Sequence, residues 1–342
     1  MTTATPVRAA LVTQYGEPPV LGTRDLPHPG PGQCRVRVTA APVVPLDLLC
    51  ASGESYFGHP ALPYVPGVQG VGVVERGDTL PDGTRVWFNT DAGMRPGDGS
   101  HAEAAVVAEA ETVSVPDDVP DSLAAALGLS AVAAWMALTW RGALEPGEGV
   151  LVLGAGGVVG QVAVQAAVAL GAGQVIAATR RTSARETALA RGATSVVDLS
   201  GAGAVELAAR MLAAADGNIH LVIDPVCGEA ATAALQVLAD GGRLVHLGAS
   251  GGPIASFSSA AVRSKSLDVR GYTNNSLSPE QRAEALSRVF ALAGAGHCDV
   301  KHHVVPLDHV ADAWRLATQG EERVVVVPTG TSDSATVPSE QP

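Results

Sequence analysis

The sequence predicts an α/β protein: a doubly wound parallel sheet flanked by helices, set between two parts of a β-rich domain. Three observations predict it. Of the 23 prolines, 15 fall in the first 120 residues. From about residue 121, strand-like and helix-like apolar runs alternate, as in successive βαβ units. From about Gly296, short β-type runs return.

Each element follows from its local pattern. Arg35-Val36-Arg37-Val38, Val71-Gly72-Val73-Val74, Arg85-Val86-Trp87-Phe88 and Ala105-Val106-Val107 read as short strands between Pro/Gly turns. Asp121 to Trp140 is rich in Ala and Leu and reads as a helix broken near Gly128. Val150 to Leu153 is a buried strand, Gly157 to Leu170 a helix, and Val175 to Ala178 a second strand. Ser183-Ala184-Arg185-Glu186 reads as a capping box, opening a helix that ends near Gly192. Strands follow at Ser195–Val197, His220–Ile223, Arg243–His246 and Leu267–Arg270. His303–Val305, a helix from Asp308 to Thr318, and Arg323–Val327 complete the pattern. The expected domains are a catalytic domain over 1–124, a nucleotide-binding domain over 125–296, a return to the catalytic domain over 297–330, and a disordered Ser/Thr/Pro-rich tail over 331–342.

Composition narrows the function. A hydrophobic fraction of 46% with only 16% charged residues argues against disorder. A net charge of −12, without a Lys/Arg cluster, argues against nucleic acid or an anionic membrane as partner. The apolar runs are interrupted by Gly and polar residues, short of the ~20 residues that a membrane span needs. The first residues lack the apolar core of a signal peptide. Cys34, Cys50, Cys227 and Cys298 are scattered, with no CxxC pair, so neither disulfides nor a cysteine-rich zinc site is expected. The expected location is cytoplasmic.

The central motif is Gly154-Ala155-Gly156-Gly157-Val158-Val159-Gly160. It follows an apolar strand and opens an apolar helix, the context in which such glycines bind a dinucleotide. Glycine allows the tight turn and lets the backbone approach a pyrophosphate, and the helix N-terminus favours its charge. At the end of the next strand, an NAD site places an acid for the ribose 2′-hydroxyl. Here Thr179, Arg180 and Arg181 stand instead. Two guanidiniums suit a 2′-phosphate, so the expected cofactor is NADPH. Asp224-Pro225-Val226 and Leu247-Gly248-Ala249 end two further strands and add Asp224 and Gly248 to the expected cofactor edge; each reads equally as an ordinary strand exit.

These residues resemble the medium-chain dehydrogenase/reductase superfamily, especially its quinone oxidoreductase and enoyl reductase branch. The resemblance runs from about Val7 to Pro328. Its most specific segments are Leu62 to Gly67 with Gly70 to Glu75, Gly99 to Glu103, and Glu145 to Val150 leading into the glycine motif. It implies a GroES-like β domain, a Rossmann domain, and a homodimer paired through the Rossmann sheet. Zinc members of the family carry Cys-His-Thr-Asp and Gly-His-Glu where this chain has Val44-Pro45-Leu46-Asp47 and Gly67-Val68-Gln69. Valine cannot ligate a metal, and catalytic zinc needs three protein ligands, so no zinc is expected.

Without a Lewis acid, hydride transfer to a quinone or an activated C=C bond is the easier chemistry. The expected partner is an apolar or conjugated carbonyl or quinone. Tyr56 is the candidate acid, near where enoyl reductases of the family have a tyrosine; it reads equally as a loop tyrosine. His101 replaces the family's tyrosine in a Gly-x-Tyr-Ala-Glu segment and reads as an acid or as a packed histidine. A tailoring reductase of a biosynthetic pathway and a non-catalytic NADPH sensor stay open as alternatives.

Overall fold

A computed structural model describes residues 4–320 and 322–328. The expected tail over 331–342 lies outside the described residues. The chain divides into two compact units. One comprises residues up to Glu109 with His303–Gln319 and the chain from Val324; the other comprises Ala110–His302 with Gly320–Arg323.

The first unit begins with an antiparallel hairpin of β1 (Thr5–Leu11) and β2 (Val20–Leu26). Then come β3 (Gln33–Val43), helix α1 (Pro45–Ser52), β4 (Gln69–Arg76), β5 (Arg85–Asn89) and β6 (Ala104–Ala108). Helix α1 is absent from the sequence reading. It opens with Pro45 in its first turn, where a missing N–H costs nothing.

The second unit holds β7 (Thr112–Ser114), α2 (Asp121–Met136), β8 (Gly149–Leu153), α3 (Val158–Ala169), β9 (Gln174–Thr179), α4 (Thr182–Ala190) and β10 (Ser195–Asp198). It continues with α5 (Ala204–Ala214), β11 (Ile219–Asp224), α6 (Gly228–Val237), β12 (Leu238–His246), α7 (Ser259–Ser264), β13 (Asp268–Gly271) and α8 (Pro279–Gly294). The chain then forms β14 (His302–Pro306), α9 (Val310–Gln319) and β15 (Arg323–Val327). In the first unit β14, β15, β3, β4 and β5 are successive neighbours, and β6 also pairs with β3.

The second unit carries the parallel sheet, in the order β10-β9-β8-β11-β12-β13. Strand order reverses between β8 and β11, which makes the carboxyl ends there the natural ligand crevice. The strands are near-continuous apolar runs because both faces are covered: all five residues of β8 and all six of β9 are buried. Gly128 kinks α2 with φ 33° rather than ending it, and a π-helical turn extends it over Ala137–Arg141. The resulting 21-residue stretch, Asp121–Arg141, has the length and hydropathy of a membrane span. That is longer than the sequence reading allowed, because a kink was read as a break. Two-thirds of its most apolar window, 67%, is buried inside the protein, as in a core helix.

Two local expectations shift. The domain boundaries fall at Glu109 and His302, not 124 and 296. Helix α2 packs on α8, and the Cys298–Lys301 segment is bonded to α3, which draws both flanks into the second unit. The capping box at Ser183 does not form. Arg181 is the N-cap of α4, without a side-chain cap, and Ser183 lies inside the first turn.

A buried histidine and a half-buried ion pair set measurable stability. His101 is fully buried in the first unit, its Nε2 3.2 Å from the Pro42 carbonyl and its ring edge-on to Trp314. Burial holds its pKa below the ordinary histidine value, against the opposing pull of Asp47 and the Pro42 bond. The unfolded chain therefore takes up this proton first as pH falls. Stability should drop below about pH 6.5 by up to ~1.4 kcal/mol per pH unit from this group. In His101→Phe, the pH dependence of urea midpoints should be shallower by that amount. In the second unit, Arg243 bonds Glu148 through both terminal nitrogens and also holds the Gly142 and Ala143 carbonyls. Both side chains of the pair are under one-fifth exposed, at 11% and 18%. Arg243→Ala leaves a half-buried carboxylate without its cation and should cost about 1–3 kcal/mol in urea unfolding.

Candidate functional site

The site grows from the turn between β8 and α3. Gly154 has φ +66°, which a side chain would strain. A Cβ on Gly160 would lie 2.3 Å from the Gly154 carbonyl oxygen, so only glycine lets α3 start this close to the strand. Gly157 caps α3 without a side-chain bond. The N–H groups of Val158, Val159 and Gly160 fall in the first turn, where no intrahelical acceptor exists. They form a cradle for an anion, reinforced by the helix dipole.

Beside this turn lies a cavity of about 160 Å³ lined by residues of the second unit, among them Gly156, Arg181, Ser183, Thr187, Lys301 and Glu322. Thr179 is buried at the end of β9, its hydroxyl against Gly156. Arg181 Nη2 donates to the Gly156 carbonyl at 3.3 Å, and Nη1 reaches the Gly320 carbonyl at 3.5 Å. Its guanidinium thus stands at the mouth of the glycine turn. Arg180 is exposed and does not line the cavity; its carbonyl accepts from Arg185 and Ser200.

The sequence reading did not place Lys301, Ser183 or Thr187 at the cofactor site, Ser183 having been read only as a helix cap. Two glutamines bring Lys301 in. The Gln161 amide nitrogen donates to the Gly156 carbonyl at 2.9 Å, and its oxygen accepts the Lys301 N–H at 3.4 Å. One helical turn on, Gln165 pairs with both backbone groups of Asp299, at 2.8 and 3.0 Å. Arg191 adds an ion pair to Asp299 at 2.8 Å. Two buried glutamines four residues apart on an apolar helix were the available signal: they need partners from elsewhere in the chain.

Asp224 and Gly248 lie at the ends of β11 and β12. The Asp224 carboxylate is fully buried and accepts from Val226 N, Cys227 N and His246 Nδ1. It holds protein groups rather than facing the cavity. A Cβ on Gly248 would lie 2.9 Å from the Pro225 carbonyl oxygen, so Gly248 lets the two strand exits meet. Tyr56 sits on a loop of the first unit, 78% exposed and stacked on Phe57.

The first unit brings together the two positions where family members with zinc carry ligands. Asp47 accepts from the Val44 N–H and the Val68 N–H, each at 2.9 Å. The side chains at these positions are hydrocarbon, and both carboxylate oxygens are engaged by backbone. Among the described residues there is no group of three or more His, Cys, Asp or Glu that could hold a metal ion.

Comparison with known proteins agrees with this architecture. Residues 30–117 match the alcohol dehydrogenase GroES-like domain, and residues 158–291 match the zinc-binding dehydrogenase family. A mouse quinone oxidoreductase-like protein 2 is 33% identical over 269 residues, covering 77% of this chain and 74% of that protein. A phenolphthiocerol/phthiocerol polyketide synthase component of Mycobacterium tuberculosis is 31% identical over 335 residues, 94% of this chain but 15% of that much longer protein. The solved structure of a mycobacterial quinone oxidoreductase superposes with a TM-score of 0.83 at 25% identity, covering 94% of this chain and all of that one. With its glycine turn, its reversing parallel sheet and these relatives, the chain belongs to the quinone oxidoreductase branch of the medium-chain dehydrogenase/reductase superfamily and is an oxidoreductase that works with a nicotinamide cofactor.

Proposed function

We propose that this oxidoreductase uses NADPH to reduce a quinone or the activated C=C bond of an α,β-unsaturated carbonyl, without zinc. One observation carries the cofactor choice: Arg181 and Lys301 line a single cavity with the Ser183 hydroxyl, at the strand end where an NAD site keeps an acid. Glu322 lines the same cavity. Two cations against one carboxylate leave a net charge of about +1, suited to the dianionic 2′-phosphate.

When bound, NADPH supplies the hydride. The rest falls to the protein's own groups. The N–H groups of Val158, Val159 and Gly160 hold the pyrophosphate, and Arg181, Lys301 and Ser183 hold the 2′-phosphate. Gly154, Gly156 and Gly157 keep the turn small enough for the backbone itself to make contact. A matched family is named for zinc, and the residues here do not fit a catalytic zinc. Val44 and Val68 supply no donor, and Asp47 is occupied by their backbone.

The same reading carries a small conjugated acceptor as partner, a cytoplasmic setting with neither nucleic acid nor membrane bound, and a homodimer. Edge strand β13, with Val269 58% exposed, offers the dimer a pairing edge. A second reading, a tailoring enoyl reductase of a biosynthetic pathway, is favoured by the match of nearly the whole chain to part of a polyketide synthase.

Anaerobic mixing with NADPH and a panel of quinones and enones should show oxidation at the nicotinamide absorbance, insensitive to metal chelators. Inertness towards every acceptor despite tight NADPH binding would sink the reductase reading. Arg181→Ala or Lys301→Ala should raise the KM for NADPH about 10- to 100-fold, each charge-assisted contact being worth ~1.5–3 kcal/mol. The KM for NADH should move far less, and Arg180→Ala should have the smallest effect of the three. Equal losses for both cofactors would remove these residues from the phosphate site.

A further inference from the structure

A buried carboxylate and an exposed imidazole meet at the carboxyl edge of the parallel sheet, outside the phosphate cavity. Asp224 ends β11 with its side chain 1% exposed, and His246 ends the adjacent strand β12 with its ring 39% exposed. Asp224 Oδ1 accepts from Val226 N at 2.9 Å and Cys227 N at 2.7 Å. Its Oδ2 lies 2.8 Å from His246 Nδ1. Among the described residues nothing is bonded to His246 Nε2, which is turned away from the carboxylate.

The ring is surplus to the local fold. Asp224 Oδ1 already holds the loop after β11. The strand exits are joined through backbone, Leu247 N to Asp224 O and Tyr272 N to His246 O, each at 2.9 Å. A buried carboxylate on Nδ1 fixes the orientation of an imidazole and turns Nε2 outward, where it can carry a proton. The position suits that role. Arg181 follows β9, on the far side of β8 from β11 and β12. A dinucleotide bound across the crevice with its 2′-phosphate at Arg181 would extend towards the ends of β11 and β12.

We propose that His246, oriented by Asp224, is the proton donor for reduction of an activated C=C bond, which makes an α,β-unsaturated carbonyl the acceptor class. The proposal rests on the NADPH reductase reading above. The hydride brings two electrons and forms the new C–H bond at the β-carbon. The π pair of the C=C bond moves to give the enolate. The Nε2–H bond of His246 then breaks, its proton forms the C–H bond at the α-carbon, and the neutral imidazole takes a proton from water. A quinone differs: its two oxygens exchange protons with water and need no fixed donor. General acid assistance of this kind is worth roughly 100-fold or more.

The test compares His246→Gln with wild type on an enone and a quinone, with NADPH, in deuterated water. The expected result is a fall of about 100-fold or more in the ratio of enone to quinone turnover. Solvent deuterium at the α-carbon should enter one face in wild type and both faces in the variant. Calorimetry should give NADPH dissociation constants within threefold of each other. Asp224→Asn, whose amide oxygen can still accept from Val226 and Cys227, should shift the turnover ratio in the same direction. An unchanged ratio with unchanged stereochemistry would overturn the proposal. So would a large loss of NADPH affinity, which would assign His246 to the cofactor. Wild type that reduces quinones but no enone would sink this inference alone; wild type inert to both would sink the reductase reading with it.

Discussion

Gln161 projects from the second turn of α3 with both ends of its amide engaged. The nitrogen holds the Gly156 carbonyl, and the oxygen receives the Lys301 N–H and the guanidinium of Arg191. One buried side chain thus fixes the floor of the glycine turn to a segment 140 residues further along the chain. Gln165, one turn on, holds the same segment through both backbone groups of Asp299. An amide suits this position because it donates and accepts at once, and its burial leaves the backbone of the 299–301 segment as the partner for what it must satisfy.

The glycine turn was legible because its requirements are local. A left-handed backbone at Gly154 and a carbonyl 2.3 Å from any Cβ on Gly160 demand glycine whatever the rest of the chain does. Arg181 was legible by its place just past β9. Lys301 was not: it stands in a loop far along the chain, and only the pairing of Gln161 and Gln165 with that loop brings it to the cavity. The same distinction explains the capping boxes. Ser278 has extended backbone angles and exchanges bonds with Gln281, with Pro279 in the first turn of α8. Ser183 has the matching spacing but lies one position inside α4, where its hydroxyl cannot cap. Spacing alone does not reveal which serine stands outside its helix. The first unit was legible as β-rich from its prolines and alternating runs, while α1 was hidden by its brevity.

The two valine positions of the first unit show how a fold keeps the frame of a site without its chemistry. Asp47 still ties Val44 and Val68 together through their N–H groups. That bonding is backbone-directed and indifferent to the side chains it brings together.

Lys301 occupies the last loop position before the chain enters β14. On the proposed reading, a phosphate held there would immobilise the one lysine of this connection. By mass action, ligand that binds only the folded form deepens its free-energy well by RT ln(1 + [L]/Kd). If Lys301 holds the cofactor as proposed, occupancy is coupled to protection of this connection, and trypsin cleavage after Lys301 reports on nucleotide saturation of the protein.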